Sequence, residues 1–186
     1  MRGGRPRRRS HDEPGHAHEL TFSCHRGFRF LSADRTRLWL ADAIEGMRAS
    51  LDVAVWAYVF IPEHVHLIVW PRRPDAKVSA ILKAVKEPVA RRATSYLTRH
   101  APDWLPKITD RGCRHFWLPG GGYDRNVHEP GTLQAMIDYV HLNPVRRGLV
   151  ERPADWRWSS AAWYERSERG PLTIDPIPPE WTGLEA

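Results

Sequence analysis

Cysteine is almost absent from this chain. Cys24 and Cys113 are the only two, and they stand in no metal-ligand spacing. That excludes a disulfide scaffold and a cysteine-based zinc module, and it suits a reducing compartment. Long apolar runs are missing too. No stretch approaches the roughly 18 apolar residues of a membrane span. The basic start, Met1 to Arg9, is followed by Ser-His-Asp-Glu-Pro-Gly and not by an apolar segment, so it does not read as a secretory signal. No internal repeat is visible. A soluble cytoplasmic protein is expected, nucleoid-associated if its partner is DNA.

What is present is positive charge and tryptophan. Lys+Arg 28 against Asp+Glu 22 gives a net charge of +6 over 186 residues, with a pI near 9.7. That balance favours a polyanionic partner such as nucleic acid. The nine tryptophans suit a core first, and stacking platforms for unpaired bases second. The length suits one domain with a sizeable core.

Along the chain, residues 1–17 read as a basic disordered arm carrying Arg2, Arg5, Arg7, Arg8 and Arg9. Residues 18–165 read as the folded domain and residues 166–186 as a proline-rich C-terminal tail that lies along the surface or frays. Within the domain, residues 18–25 read as a strand. Leu38, Ala41, Ile44, Met47 and Arg48 are at helical spacing, which predicts an amphipathic helix over 33–50. Residues 53–60 alternate as a strand, with Val53, Val55, Ala57 and Val59 set against Ala54, Trp56 and Tyr58. A second strand runs from His64 to Trp70, and the short link between them predicts a hairpin.

A long basic helix over 75–99 follows, with Pro88 expected to kink or split it. Residues 114–118 look like another strand. Gly120-Gly121-Gly122 reads as a turn or hinge, and residues 124–127 as a continuation of the strand. The last clear helix covers 130–142, where Asn143-Pro144 closes it. The first six of these elements match an α+β, ferredoxin-like split β-α-β fold: one antiparallel sheet with helices on one face.

Two places carry chemistry. In Pro62-Glu63-His64-Val65-His66, residues i and i+2 of a strand share a face, about 6–7 Å apart. His64 and His66 can therefore grip one divalent ion, while Val65, Leu67 and Val69 face a core. Two histidines on a half-exposed strand with no ligand remain the plain alternative. In the last helix, Leu133, Met136, Ile137 and Val140 form the core stripe. Tyr139 is off that stripe and shares a face with Ala135 and Asn143. Its phenol is accessible, and the Asn143 carbonyl is a candidate third ligand. An amphipathic core tyrosine and an ordinary helix-stop asparagine are the plain readings of these two. Imidazole with carbonyl oxygen suits Mg²⁺ or Mn²⁺. His141 lies two residues beyond Tyr139, points about 200° away, and is not expected to act as its base.

These residues carry a resemblance. Tyr58 to Ile68, with its Pro62-Glu63-His64-Val65-His66 core, resembles the HUH motif region of the single-tyrosine HUH transposases. Asp138-Tyr139-Val140-His141-Leu142-Asn143-Pro144-Val145-Arg146-Arg147-Gly148-Leu149-Val150 is similar to the catalytic-tyrosine helix of their REP-associated branch. Phe116-Trp117-Leu118-Pro119 and Asp155-Trp156-Arg157-Trp158-Ser159-Ser160, with Tyr164 beyond, resemble that branch as well. Glu63 stands where many relatives carry Asn, and its side chain is expected to point away from the histidines. Asn143 stands where other HUH transposases place Gln.

The resemblance implies the HUH nuclease fold and cleavage of single-stranded or hairpin DNA by Tyr139 through a 5′-phosphotyrosine. It also implies a divalent metal on His64, His66 and Asn143. Lys83, Lys86, Arg91, Arg125, Arg146 and Arg147 are the basic groups expected along the DNA, together with Arg92. The chain would work as a monomer or a homodimer, with no membrane. A hairpin-binding protein that no longer cuts is the alternative, and an unrelated histidine-dependent hydrolase is a third.

Overall fold

The computed structural model describes residues 13–120 and 122–182. Most of the basic arm read from residues 1–17 therefore lies outside the described residues. Four strands build the main antiparallel sheet: β1 (Ala17–Ser23), β2 (Val53–Ile61), β3 (His64–Pro71) and, after a small separate pair of β4 (Thr109–Asp110) and β5 (Cys113–Arg114), β6 (Tyr123–Val127). Their order is β2-β3-β1-β6. That is the order of a ferredoxin-like sheet. Helices α1 (Asp34–Leu51) and α2 (Val78–His100) supply the two crossovers.

One core lies between these two helices and the sheet. Leu20, Phe22, Val65, Leu67 and Val69 meet Leu40, Ile44 and Met47 of α1 and Ile81, Val85 and Val89 of α2. The buried stripe of α1 runs through Leu40 and Ala41, whereas Leu38 is exposed. Helix α2 continues unbroken through Pro88. The packing of its apolar face onto the sheet offsets the one backbone bond that proline removes.

The simple alternation expected of β2 does not hold. The pairing of β2 with β3 shifts between Val55 and Ala57. This bulge at Trp56 inserts one extra residue and reverses the faces beyond it. Val53 and Val55 thus share a core with Tyr58 and Phe60, while Ala54, Trp56, Ala57 and Val59 face the other way. The predicted hairpin is present, with Ile61 paired to His64 across the two-residue turn Pro62-Glu63.

The fourth strand also differs from expectation. Short helix α3 (Leu105–Ile108) leads into β4 (Thr109–Asp110), which pairs only with β5 (Cys113–Arg114). Trp117 makes a single bridge to Cys24. The strand that completes the sheet is β6, paired to β1 from Ala17↔Val127 to Thr21↔Tyr123. Gly122 makes that entry possible. Its φ is +77°, and a Cβ there would collide with the Thr21 carbonyl oxygen.

The opposite face of the sheet carries α4 (Pro130–His141). Leu133, Met136, Ile137 and Val140 pack on Ala17, Val59, Ile68 and Val127. Leu142 then interrupts the helix, and one further turn, α5 (Asn143–Arg146), follows. Asn143-Pro144 therefore begins a second turn where the sequence reading has it end the helical course.

Strand β2 is an edge, and the segment after α5 covers it. Phe60 N–H donates to the Trp158 carbonyl (2.8 Å) and Ser160 N–H to the Tyr58 carbonyl (3.0 Å). Tyr58 N–H donates to Ser160 Oγ (3.0 Å), and Tyr164 Oη donates to the Trp56 carbonyl (2.7 Å). Short α6 (Ala161–Arg166) brings Tyr164 to that position. Farther along, Asp175 and Val55 exchange two bonds, from Asp175 N–H to the Val55 carbonyl (2.9 Å) and from Val55 N–H to Asp175 Oδ2 (2.8 Å). An uncovered edge would invite pairing with another chain. The described part of the proline-rich tail is thus docked along β2, with Leu172 buried in the core.

Candidate active site

The face under α4 changes character along the strands. At one end Ala17, Ile68 and Val127 are apolar and hold the helix. At the other end the same face presents Glu19 and Thr21 from β1, His64 and His66 from β3, and Tyr123 and Arg125 from β6. The registers Thr21↔His66, Glu19↔Arg125 and Thr21↔Tyr123 place these residues side by side. A core would not tolerate so many polar groups on one face unless each were partnered or open to solvent.

His64 and His66 lie together, with ring centroids 5.0 Å apart. Both are buried. Tyr139 comes down from α4 onto them: its ring centroid is 5.9 Å from that of His66, nearly perpendicular at 84°. Tyr139 is nonetheless 46% exposed. It stands at the mouth of an open cleft of about 800 Å³ that Glu19, Thr21, His66, Tyr123, Arg125 and Ala135 also line. The two histidines and the tyrosine, read from separate motifs, are thus brought to one place.

Each histidine has a carboxylate on Nδ1. Thr21 Oγ1 donates to Glu19 Oε1 (3.1 Å), and His66 Nδ1 lies 3.0 Å from the same carboxylate oxygen and 2.9 Å from Thr21 Oγ1. With the threonine proton spent on Glu19, Nδ1 of His66 must be the donor, and its Nε2 keeps a lone pair. His64 Nδ1 donates to Glu63 Oε1 at 3.3 Å. Carboxylates that orient histidine ligands in this way are the usual outer partners of a metal site. Burial, then the neighbouring His66, holds the His64 pKa well below the ordinary histidine value. A neutral imidazole is the form that binds metal.

Glu63 does not point away from the histidine face, contrary to the sequence reading. It sits in the hairpin turn, where alternation along a strand no longer dictates direction, and its side chain folds back onto His64. Glu19 has no signal in the sequence beyond being a charged residue inside a strand.

Asn143 is buried, and its Nδ2 donates to the backbone carbonyl of Tyr139 at 3.0 Å. This bond leaves the amide oxygen as its uncommitted end. Among the described residues, no cluster of three or more His, Cys, Asp or Glu is arranged to hold a metal ion. The residues present therefore fit half of a metal site: two imidazoles with fixed tautomers. The other positions fall to a carbonyl, water or substrate oxygen.

The basic candidates divide between the two sides of the sheet. Arg125 lines the cleft. Arg146 places its guanidinium carbon 4.9 Å from the Tyr139 ring centroid. Arg147 Nη1 is bound to Glu63 Oε1 at 2.7 Å. Lys83, Lys86 and Arg91 are on α2, across the sheet. Lys86 Nζ donates to the Gly120 carbonyl at 2.8 Å, and burial lowers its pKa. Lys83 and Arg91 are exposed. Arg92 is paired with Asp42 at 2.7 Å. His141 lies on the buried side of α4, with Nε2 2.8 Å from Ser160 Oγ, away from the cleft as its spacing requires.

No protein-family model matches the chain. Two curated sequences do. A protein of Haemophilus influenzae named for the REP-associated tyrosine transposases is 24% identical over 165 residues, covering 84% of this chain and 86% of its own. The REP-associated tyrosine transposase of Escherichia coli K12 is 24% identical over 144 residues, covering 77% of this chain and 72% of its own. Among solved structures, a REP-associated tyrosine transposase bound to a REP hairpin superposes with a TM-score of 0.69 and 18% identity, covering 98% of this chain and 99% of that one. The likeness carried by those short motifs thus extends over most of the chain, and the fold is shared.

Proposed function

From this likeness to the REP-associated tyrosine transposases, we propose that the chain is a metal-dependent endonuclease and strand transferase for single-stranded DNA next to a hairpin. The carrying observation is the convergence of Tyr139 with His66 and His64 at the mouth of one cleft. A hairpin-binding protein that never cuts has no need of an accessible phenol beside two tautomer-fixed imidazoles.

His64 and His66 would hold Mg²⁺ or Mn²⁺, with the Asn143 carbonyl as third donor. The ion supplies charge stabilisation for the non-bridging phosphate oxygens. The chain's own residues do the rest. Tyr139 Oη gives up its proton and forms a bond to phosphorus, and the bond from phosphorus to the 3′ oxygen breaks. That oxygen takes a proton and leaves as a 3′-hydroxyl, with the 5′-phosphate on Tyr139. Attack by a 3′-hydroxyl reverses these steps and joins strands without ATP. Arg125 and Arg146 flank the tyrosine where the DNA backbone must pass.

Incubation with Mn²⁺ and labelled hairpin oligonucleotides tests this reading on a denaturing gel. A covalent protein–DNA band that chelator prevents is the expected result. Hairpin binding that survives chelation, with no adduct under any divalent ion, would mean a non-cleaving binder. Among the described residues no helix is long and apolar enough to cross a membrane.

A further inference from the structure

The two halves of the candidate site are joined by one carboxylate oxygen. Glu63 Oε1 accepts from His64 Nδ1 (3.3 Å) and is ion-paired with Arg147 Nη1 (2.7 Å). The chain of bonds continues into the tyrosine helix. Arg147 N–H donates to the Asn143 carbonyl at 3.1 Å, and Asn143 Nδ2 donates to the Tyr139 carbonyl at 3.0 Å. His64, Glu63, Arg147, Asn143 and Tyr139 thus form a continuous path of hydrogen bonds and one ion pair from the hairpin to the nucleophile.

The hairpin end of this path is rigid. Cys24 N–H donates to the Glu63 carbonyl (2.8 Å) and Leu31 N–H to the Pro62 carbonyl (2.9 Å), so the turn backbone is pinned from the segment after β1. The Glu63 side chain is largely covered, at 21% exposure, while Arg147 reaches it from a half-exposed position. A surface ion pair of this exposure adds little to stability. Its geometry, however, ties two elements that share no strand pairing.

We propose that Glu63 and Arg147 are positioning residues. Glu63 fixes the His64 tautomer that leaves Nε2 free for metal, and Arg147, through Glu63, holds the tyrosine helix at its working distance from the histidines. The inference rests on the proposed reading of the site. Arg147 is then a strut between protein elements before it is a contact to DNA. Two roles on one carboxylate give two separable consequences. Loss of Glu63 disturbs the metal half and the strut together, whereas loss of Arg147 disturbs only the strut.

The test uses the full chain with Glu63→Ala and Arg147→Met, whose changes leave the pinned turn backbone intact. Nitrogen-15 spectra of the imidazoles in metal-free, DNA-free protein at pH 8 report the tautomer. Wild type and Arg147→Met should show His64 protonated on Nδ1, and Glu63→Ala should shift it toward Nε2. Mn²⁺ binding followed by electron paramagnetic resonance should weaken by about 10–100-fold in Glu63→Ala and stay near wild type in Arg147→Met. At saturating Mn²⁺ and oligonucleotide, the rate of adduct formation should fall by about tenfold in Arg147→Met. An unchanged tautomer and Mn²⁺ affinity in Glu63→Ala overturns the role of Glu63. A rise in KM alone in Arg147→Met makes that residue a DNA contact and overturns the strut. If wild type forms no adduct at all, the nuclease reading fails, and the spectra and Mn²⁺ binding still decide Glu63.

Discussion

Tyr139 meets His66 edge-on, with ring centroids 5.9 Å apart at 84°, although the two sit on a helix and a strand far apart in sequence. The phenol is held beside the imidazole by packing on the other side of its helix. Leu133, Met136, Ile137 and Val140 are buried against the sheet, and that stripe fixes the rotation of α4. Tyr139→Phe keeps the ring and its contact with Arg146 but removes the nucleophilic oxygen. Adduct formation should fall by about a thousand-fold or more, with hairpin affinity unchanged. The checks are a denaturing gel beside a native binding assay. A Phe variant that still forms adduct would remove Tyr139 from the reaction.

Glu19 is buried beside His66 and bonded to it. Glu19→Gln keeps the volume and removes the charge that favours a protonated Nδ1. Mn²⁺ affinity should drop by about tenfold or more. The thermal midpoint should not fall, because a buried charge is exchanged for a neutral amide. Calorimetric Mn²⁺ titration and a melting curve measure the two. Unchanged Mn²⁺ affinity would leave Glu19 as a structural residue of β1.

The histidine pair, the tyrosine and the order of helices and strands were legible because each rests on local periodicity. His64 and His66 share a face by strand alternation, and Tyr139 leaves the core stripe by helical spacing. What stayed hidden depends on contacts between segments remote in sequence. The bulge at Trp56 reverses the faces of β2 without any glycine or proline to announce it. Residues 113–118 have strand-like composition but divide between the β4–β5 pair and one bridge from Trp117 to Cys24 just past β1, and β6 takes the place beside β1. Glu19 and Glu63 acquire their partners only once β1, the hairpin and the end of the tyrosine helix are assembled. The motif Trp156-Arg157-Trp158-Ser159-Ser160 has a structural reason that periodicity cannot supply: it caps the edge of β2. Trp156 Nε1 donates to the Phe60 carbonyl at 3.1 Å, as part of that cap.

Asp175 extends the same cap. Its carboxylate accepts from Val55 N–H (2.8 Å), Arg48 Nη2 (2.7 Å) and Arg72 Nη2 (3.1 Å). Asp175→Asn removes the charge from all three bonds, two of them to arginines, and should cost about 2 kcal/mol. For a chain of this size that lowers the melting midpoint by about 4–8 °C. The rate of adduct formation at a temperature where the variant is folded should equal that of wild type, since Asp175 is outside the cleft. A melting midpoint that does not move would mean that the tail contributes no stability to β2.

His141 gives the fold a pH dependence of its own. Burial lowers its pKa from 6.5 to about 4, with Asp138 opposing the shift. Above pH 6.5 the residue is neutral in both folded and unfolded chains and has no effect on their balance. Between pH 6.5 and 4 the unfolded chain takes up a proton that the folded chain refuses, so stability falls as pH falls. At pH 4.5 this residue alone should cost about 2–3 kcal/mol relative to pH 7. His141→Gln, which cannot take up the proton, should lose correspondingly less over the same range. Urea midpoints of both proteins at pH 7 and pH 4.5 measure the difference. Equal losses in the two proteins would mean that other groups carry the acid sensitivity and that His141 is not the buried base.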